Sequence, residues 1–321
     1  SRVSDVRLRD DFVAVKVPAT SANLGPGFDS MGLALDLWDE VSVHATTGPT
    51  SVVVEGEGAG DVEQGEDNLV VRALRLALDR VGAPQVGVRM HCTNRIPHSR
   101  GLGSSASAIV AGVTLARALI GDADVLGRQE ILEIGSQMEG HPDNVAPAVF
   151  GGATVSWMNE GTSEVGCVRL TPPDVIHPVA FIPDFELRTA AARAALPATV
   201  PHGDASFNVA RGALLAAVLS GNAQASEGVD LHALLMEATR DRLHQEQRRA
   251  AMEPSLALVD WLRGAGFAAV VSGAGPTVLS LESVGVDIRR DAAAAGWRVA
   301  PMGVAAQGVQ ITRGSLSQLE F

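Results

Sequence analysis

The sequence predicts an α+β protein of two domains. Strands and helices are mixed without the βαβαβ succession of a doubly wound parallel sheet, and the pattern combines antiparallel strands with layers of helices. The chain has 321 residues, which is long enough for two hydrophobic cores. Because the composition shifts near residue 155, we expect an N-terminal domain over residues 1–155 and a C-terminal domain over residues 156–321.

In the first half, apolar alternation predicts strands and 3.6-residue periodicity predicts helices. The first strand should end at Pro18, which cannot donate a ladder hydrogen bond. Asp67 and Asn68 are placed to cap an amphipathic helix that begins near Val70. Residues 40–46 and 51–57 are predicted as two strands of one antiparallel sheet. The remaining predicted elements are strands over 12–17, 86–92 and 153–157 and a helix over 126–139, which the motif at residues 141–144 interrupts.

The second half continues the same mixture. A glycine-rich turn at residues 272–277 lies between two apolar strands, where a tight hairpin is the simplest interpretation. Strands are predicted over residues 165–170, 179–182 and 268–272, and helices over residues 189–195, 205–219, 240–249 and 255–263.

Composition and charge exclude several classes of protein. The formal net charge is −12 and the pattern shows no basic face, so neither nucleic acid nor an anionic membrane is expected as a partner. Lys16 is the only lysine, so the GxxxxGK[ST] phosphate loop is excluded. Two distant cysteines, Cys92 and Cys167, fit reduced thiols, and no apolar run resembles a signal or a membrane span. A cytoplasmic protein is therefore predicted.

The stretch over residues 95–120 predicts an anion site. A polar loop containing Gly101 and Gly103 runs directly into a long apolar helix, whose first free backbone N–H groups and dipole favour negative charge. Glycines allow an anion to approach the main chain, and Ser104 and Ser105 can cap the helix or offer hydroxyl groups to phosphate or metal. A helix start without any ligand is the alternative.

Gly101-x-Gly103-x-x-Ala106 also matches the dinucleotide fingerprint of dehydrogenases. That fingerprint needs a strand running directly into its first glycine, whereas residues 95–100 form a polar loop containing proline. Asp122 and Asp124, at the distance expected of a ribose-binding acid, lie in a helix-capping turn. The context therefore argues against a dinucleotide site.

Three glycine-rich segments occur in order: residues 18–32, 97–108 and 272–277. Together with Glu139-Gly140-His141-Pro142-Asp143-Asn144 and the Arg242-Leu243-His244-Gln245 motif, they resemble the galactokinase, homoserine kinase, mevalonate kinase and phosphomevalonate kinase (GHMP) superfamily, and within it the homoserine kinases. The resemblance covers essentially the whole chain. It implies the two-domain fold of that superfamily, with a ribosomal protein S5 domain 2-like N-terminal domain, a ferredoxin-like C-terminal domain and ATP between them. It also implies transfer of phosphate from ATP, with Mg²⁺, to the side-chain hydroxyl of L-homoserine on the route to threonine.

The resemblance implies an ATP and Mg²⁺ site around the second segment. Asn68 matches the residue that contacts adenine. Mg²⁺ would be held by Ser104 or Ser105 with Glu133, because the metal-binding glutamate of the family lies eight residues before the histidine of the HPDN motif. Glu139 is the alternative ligand. The predicted nucleotide-binding residues are Asn68, Pro97, Arg100, Gly101, Leu102, Gly103, Ser104, Ser105 and Ala106.

The resemblance also places residues around the amino acid. Arginines suit its carboxylate because guanidinium can bind a carboxylate in bidentate fashion, and Asp29 suits its ammonium group. Thr189 would lie near the γ-phosphate, on the same helical face as Arg193. The predicted substrate-binding residues are Asn23, Asp29, His141, Asn144, Arg193 and Arg248, and the predicted catalytic residues are Asp29, Ser105, Glu133, Thr189 and Arg193.

Two departures from other members of the superfamily bear on the mechanism. Asn144 stands in the segment where mevalonate and galactose kinases carry a catalytic aspartate, and Thr20 and Ser21 stand where those relatives carry a lysine or an arginine. Asparagine cannot accept a proton, so no catalytic base is identified. A mevalonate- or sugar-type kinase and a catalytically silent nucleotide-binding relative remain alternatives. A homodimer is expected from the resemblance alone.

Overall fold

The structure, a computed structural model, describes residues 5–162, 164–226 and 230–319. Two sheets are covered by helices, and the polar loops between elements gather where the two sheets approach each other. The strands are β1 Phe12–Ala22, β2 Met31–Thr46, β3 Ser51–Gly56, β4 Gly87–Asn94, β5 Ala153–Met158, β6 Val165–Leu170, β7 Val179–Ile182, β8 Ala269–Val271, β9 Val278–Ser280, β10 Arg298–Pro301 and β11 Gln310–Arg313. The α-helices are α1 Leu69–Arg80, α2 Ser104–Ile120, α3 Arg128–Glu139, α4 Val145–Phe150, α5 Thr189–Ala194, α6 His202–Leu219, α7 Leu231–Ala238, α8 Glu253–Gly264 and α9 Val286–Ala294; a 3₁₀ helix spans Glu246–Ala251.

The first sheet crosses the boundary expected at residue 155. Its strand order is β11-β1-β2-β4-β3, and β5 pairs with β2 while β6 pairs with β5. Residue 155 lies inside β5, and both β6 and β11 come from beyond it. The composition shift therefore marks a strand inside this sheet, because the chain returns to the sheet at β6 and again at β11.

Two local expectations for this sheet are wrong. β1 continues through Pro18, and its register with β2 shifts between Pro18 and Ala19, so the irregular pairing accommodates the missing N–H donor. The strands predicted over residues 40–46 and 51–57 do share one sheet, but β3 runs parallel to its neighbour β4, so that sheet is mixed and not antiparallel throughout. Both the course of β1 through Pro18 and the direction of β3 depend on how each strand pairs with another strand, which a single segment does not encode.

Helix α2 is the buried centre of the first half. Most of its residues are fully buried between the sheet and α1, including Ile109, Val113 and Leu119. Ser107 Oγ donates to the carbonyl oxygen of Pro18 at 2.8 Å, which joins the first turn of α2 to β1. The predicted apolar helix thus fixes the position of the glycine loop that precedes it.

Gly112 permits the close packing of α1 against α2. A Cβ at this position would lie 2.4 Å from the carbonyl oxygen of Val70 and 2.7 Å from Cβ of Ala73. Gly112→Ala should therefore lower the free energy of unfolding by about 1–3 kcal/mol, measured by urea denaturation. Gly264→Ala is the matched control, because no atom of the described residues lies within 4 Å of its new Cβ and alanine favours the helix. Equal destabilisation by the two changes would contradict the packing argument.

The second sheet has the order β10-β7-β9-β8, and every neighbouring pair is antiparallel. Helix α8 covers one side through Leu256, Val259 and Leu262, which pack with Phe181 of β7. Helix α7 was not predicted. Among the described residues no helix is long and apolar enough to cross a membrane.

The helix predicted over residues 240–249 forms only in part, as the 3₁₀ helix. Asp241 accepts hydrogen bonds from the backbone N–H groups of Leu243, His244 and Gln245. Asn208 of α6 accepts from the N–H of Arg242 at 2.7 Å. These side chains bind the donors that a helix would use, so the backbone turns instead.

Candidate active site

Hydrogen bonds join the three glycine-rich segments into one wall. Asn23 Nδ2 donates to the carbonyl oxygen of Gly273 at 3.0 Å, and the N–H of Gly273 donates to Ala22 at 3.0 Å. Ser272 Oγ donates to the carbonyl oxygen of Gly101 at 2.7 Å. The turn at residues 272–277 is therefore part of the site. A simple hairpin, the interpretation from sequence, would not need these contacts.

The glycine loop ends at the N-terminus of α2 in a conformation that requires glycine. Gly101 and Gly103 have φ of +81° and +72°, and Gly103 is the N-cap residue. A Cβ on Gly101 would lie 2.3 Å from the carbonyl oxygen of Ser272. Neither Ser104 nor Ser105 caps the helix, so the N–H groups of its first turn remain available to an anion.

Two cavities meet at this helix end. A polar cavity of about 150 Å³ contains Asp29, Glu139 and Arg248, and a second cavity of about 370 Å³ has a mostly apolar wall from β1, β2, α1 and α2. Ser99, Ser104 and Ser105 line both cavities. A molecule with an apolar ring and a charged tail could therefore extend from one cavity into the other past the helix N-terminus.

Asn68 lies in the apolar cavity and caps α1, as predicted. Its Oδ1 accepts from the N–H of Val70 at 2.9 Å, and its Nδ2 donates to the carbonyl oxygen of Glu63 at 2.9 Å. The carboxylate of Asp39 also lines this cavity, where it accepts from the N–H groups of Arg95 and Ile96. Burial raises the pKa of Asp39. Sequence reasoning missed Asp39, because a single polar residue within a strand carries no local signal of a cavity.

Four of the predicted nucleotide residues do not line either cavity. Leu102 and Ala106 belong to the hydrophobic cores, and Pro97 is buried in the loop. Arg100 donates to the carbonyl oxygens of Pro183 and Asp184 and thereby ties the loop to the second half of the chain. These side chains shape the loop, whereas Gly101, Gly103, Ser104 and Ser105 face the cavities.

The structure places Glu139, and not Glu133, at the polar cavity. Ser105 Oγ donates to Glu139 Oε2 at 2.9 Å, while Glu133 accepts from Gln129 on another face of α3 and lines neither cavity. The end of α3 meets the start of α2, and Glu133 lies six residues earlier, about 9 Å along the helix axis. Burial raises the pKa of Glu139, and the hydrogen bond from Ser105 opposes that rise. Counting back from His141 selects Glu133, whereas the carboxylate that the structure brings to the polar cavity is Glu139.

Asp29, Arg193 and Arg248 come together at the other end of the polar cavity. Arg193 Nη2 lies 2.7 Å from Asp29 Oδ1, and Thr189, one turn earlier on α5, also lines the cavity. Arg248 is only 2 % exposed, and burial lowers its pKa. Within the part of the chain that the structure describes, no carboxylate lies within 4.0 Å of its guanidinium nitrogens.

The remaining predicted substrate residues are already engaged. Asn23 also accepts the N–H of Asp29 at 3.0 Å, and Asn144 Oδ1 accepts from Thr20 Oγ1 at 2.8 Å. His141 Nδ1 lies 2.6 Å from Oδ1 of the buried Asp143, which raises the pKa of His141. All these residues line the polar cavity, apart from Thr20. Sequence reasoning had treated Asp143 only as part of a motif.

The fold and the site define a GHMP-type kinase, and comparisons with known proteins agree. The family models "GHMP kinases N terminal domain" and "GHMP kinases C terminal" match residues 68–152 and 219–283. Homoserine kinase of Streptomyces coelicolor is 45 % identical over 301 residues, which cover 93 % of this chain and 94 % of that protein. Homoserine kinase of Rhodococcus opacus is 46 % identical over 307 residues, covering 91 % and 95 %.

Structural similarity extends over the same length. The crystal structure of homoserine kinase from Cytophaga hutchinsonii has a TM-score of 0.81 at 24 % identity, covering 94 % of this chain and 98 % of that one, and shows the fold. A crystal structure of mevalonate kinase has a TM-score of 0.66 at 13 % identity and covers 92 % of this chain and 99 % of that one. The chain belongs to the homoserine kinases of the GHMP kinase family.

Proposed function

We propose that this protein transfers the γ-phosphoryl group of ATP to the side-chain hydroxyl of L-homoserine. One observation carries the proposal: a glycine-lined helix N-terminus and a buried arginine, which has no ion-pair partner among the described residues, open into the same small polar cavity. The first group suits phosphate, and the second suits the carboxylate of an amino acid. The names of the relatives support homoserine as the acceptor.

The nucleotide would lie across both cavities. The apolar cavity, with Asn68 at its edge, suits the adenine ring, and the N–H groups after Gly103 suit the phosphates. Phosphoryl transfer develops charge on the phosphate oxygens, so donors fixed before the reaction stabilise the transition state. Gly101, Gly103 and the first turn of α2 supply such donors without rearrangement, because Ser272 holds the loop.

The residues at the helix end fit Mg²⁺. Ser105 and Glu139 offer adjacent oxygen ligands, and Mg²⁺ in kinases is commonly held by one or two carboxylates together with substrate phosphates and water. Among the described residues, no group of three or more His, Cys, Asp or Glu side chains forms a metal cage, which agrees with such sparse ligation. When bound, the ion would neutralise charge on the phosphate oxygens.

The acceptor would lie between the helix end and the arginines. Arg248 would bind its carboxylate, and Asp29, shared with Arg193, would bind its ammonium group. Asn144 faces the cavity with its Oδ1 occupied by Thr20, and its amide cannot act as a base. We therefore propose that the hydroxyl proton passes to a phosphate oxygen or to solvent, late in a loose transition state.

We further propose a cytoplasmic enzyme without nucleic-acid or membrane partners. The net charge of −12 and two free cysteines support this location. A homodimer stays a prediction.

ADP release tests the function. We expect turnover with Mg-ATP to be strongly selective for L-homoserine over D-homoserine, L-serine, L-threonine, mevalonate and galactose. The reason is that the charged groups at one end of the cavity bind the carboxylate and ammonium groups, and the distance to the phosphate site then fits one side-chain length and one configuration. Preferred turnover of mevalonate or galactose would keep the ATP site and overturn the acceptor. ATP binding without turnover of any acceptor would instead indicate a silent nucleotide-binding protein.

A further inference from the structure

His244 is a fully buried histidine that the proposed reaction leaves without a role. Its side chain is 0 % exposed, in the turn between α7 and the 3₁₀ helix. The imidazole ring stacks on Phe28 of the first glycine segment, with centroids 4.9 Å apart and planes inclined by 18°. The ring therefore lies directly behind the wall of the polar cavity.

Each ring nitrogen of His244 faces a partner that can act in only one way, as an acceptor at Nε2 and as a donor at Nδ1. Nε2 lies 2.7 Å from the carbonyl oxygen of Gly25, and Nδ1 lies 3.1 Å from Arg248 Nη1. A carbonyl oxygen can only accept a hydrogen bond, so Nε2 carries the proton. A guanidinium can only donate, so Nδ1 must be unprotonated. The imidazole is thus neutral and in the Nε2–H tautomer, which agrees with the lowering of its pKa by burial.

The backbone fixes this tautomer. Gly25 has φ +84° and approaches the α7 end so closely that a Cβ there would lie 2.7 Å from the carbonyl oxygen of Thr239. Asp241 holds the turn of His244 by accepting its N–H at 2.9 Å. Neither the donor nor the acceptor of the hydrogen bond from His244 Nε2–H to the Gly25 carbonyl oxygen can move without disturbing the first glycine segment or the turn.

Within the described ranges of the chain, Arg248 is held by neutral acceptors alone. Nε donates to the carbonyl oxygen of Ala192 at 3.2 Å, and Nη1 donates to His244 and, at 3.4 Å, to Gly273. Among the described residues none of these contacts is a carboxylate, so the positive charge of Arg248 is not consumed by an internal ion pair. Phe28 contributes a ring face 5.7 Å from the guanidinium carbon. Its charge therefore remains for an anion in the cavity.

We propose that His244 is a positioning residue: its unprotonated Nδ1 fixes the Arg248 guanidinium for the acceptor carboxylate, and its Nε2–H ties that arginine to the first glycine segment. This inference rests on the proposed function, because the carboxylate is that of the proposed acceptor. A carboxylate in place of His244 would neutralise Arg248, and a protonated imidazole would repel it. Only a neutral acceptor both orients the guanidinium and leaves its charge to the ligand.

Two substitutions separate positioning from packing. His244→Asn keeps an acceptor near the place of Nδ1, whereas His244→Gln keeps a polar group near Nε2 and none near Nδ1. We expect His244→Gln to raise the KM for L-homoserine by about 10–10²-fold, the range of one hydrogen bond to a charged group, while the KM for ATP stays unchanged. His244→Asn should restore the KM for L-homoserine to within about threefold of the wild type. Equal values in the two variants, or equal losses for both substrates, would overturn the positioning role.

A second measurement tests the proposal even if the variants fail to fold, and it separates failure of the proposal from failure of the proposed function. Nitrogen NMR of the ¹⁵N-histidine-labelled wild-type enzyme should show His244 with a protonated Nε2 and a bare Nδ1. Adding L-homoserine should shift the Nδ1 resonance, because Arg248 joins the two. A protonated Nδ1, or an Nδ1 resonance unmoved when calorimetry shows L-homoserine bound, would overturn the proposal. An enzyme that neither binds nor phosphorylates L-homoserine fails the proposed function instead, while the tautomer still tests His244.

Discussion

Glu139→Gln is expected to lower kcat by about 10²–10³-fold, with the far-UV circular dichroism unchanged. The substitution keeps the shape of the side chain and its ability to accept from Ser105, but it removes the negative charge beside the N-terminus of α2. With a neutral amide, Mg²⁺ loses its only charged ligand in our proposal, so the apparent Mg²⁺ affinity should fall as well. Steady-state kinetics over a range of Mg²⁺ concentrations measures both effects.

Glu133→Gln is the matched control. It removes the same charge from the same helix, but Glu133 contacts Gln129 and lines neither cavity. We expect its kcat and Mg²⁺ dependence to equal those of the wild type. The opposite result, a large loss for Glu133→Gln and none for Glu139→Gln, would return the metal ligand to the position that sequence counting selected.

Asp29→Asn is expected to raise the KM for L-homoserine by about 10–10²-fold and to leave ATP binding unchanged. Asp29 bonds to Arg193 at the acceptor end of the cavity, and its side chain is 39 % exposed, so the charge can reach an ammonium group. Asparagine keeps the size of the side chain but cannot balance that charge. Calorimetric titration with L-homoserine and, separately, with Mg-ATP resolves the two affinities.

Asp79→Asn controls for the loss of one acidic charge. Asp79 is exposed near the end of α1 and lines neither cavity, so both affinities should stay at the wild-type values. If Asp29→Asn weakened ATP and L-homoserine equally, Asp29 would act through the shape of the first glycine segment, where it has φ +57°, and not through its charge.

Much of the local structure could be predicted because neighbouring residues encode it. The glycines before α2, the Asn68 cap and the strand at residues 165–170 follow from conformational freedom, capping and alternation within a few positions. The three glycine-rich segments, read in order, predicted the family that the relatives show. None of these inferences depended on tertiary contacts.

Contacts between distant segments could not be predicted in this way. Asp241 and Asn208 replaced an expected helix by a turn, and β11, near the end of the expected C-terminal domain, returned to the first sheet. Sequence spacing could not decide between two carboxylates on α3, because the choice depends on which one the packing of α2 against α3 brings to Ser105.

The sequence by itself determined the α+β class, the glycine loop with its helix and the kinase family, since these depend on local conformation and on short motifs. Only the tertiary structure decided that Glu139 lies at the helix end, that Arg248 is buried with no ion pair among the described residues, and that His244 is a neutral Nε2–H imidazole. The reason is physical: burial and hydrogen-bond partners set the charge and orientation of a side chain, and both come from residues far away in the chain.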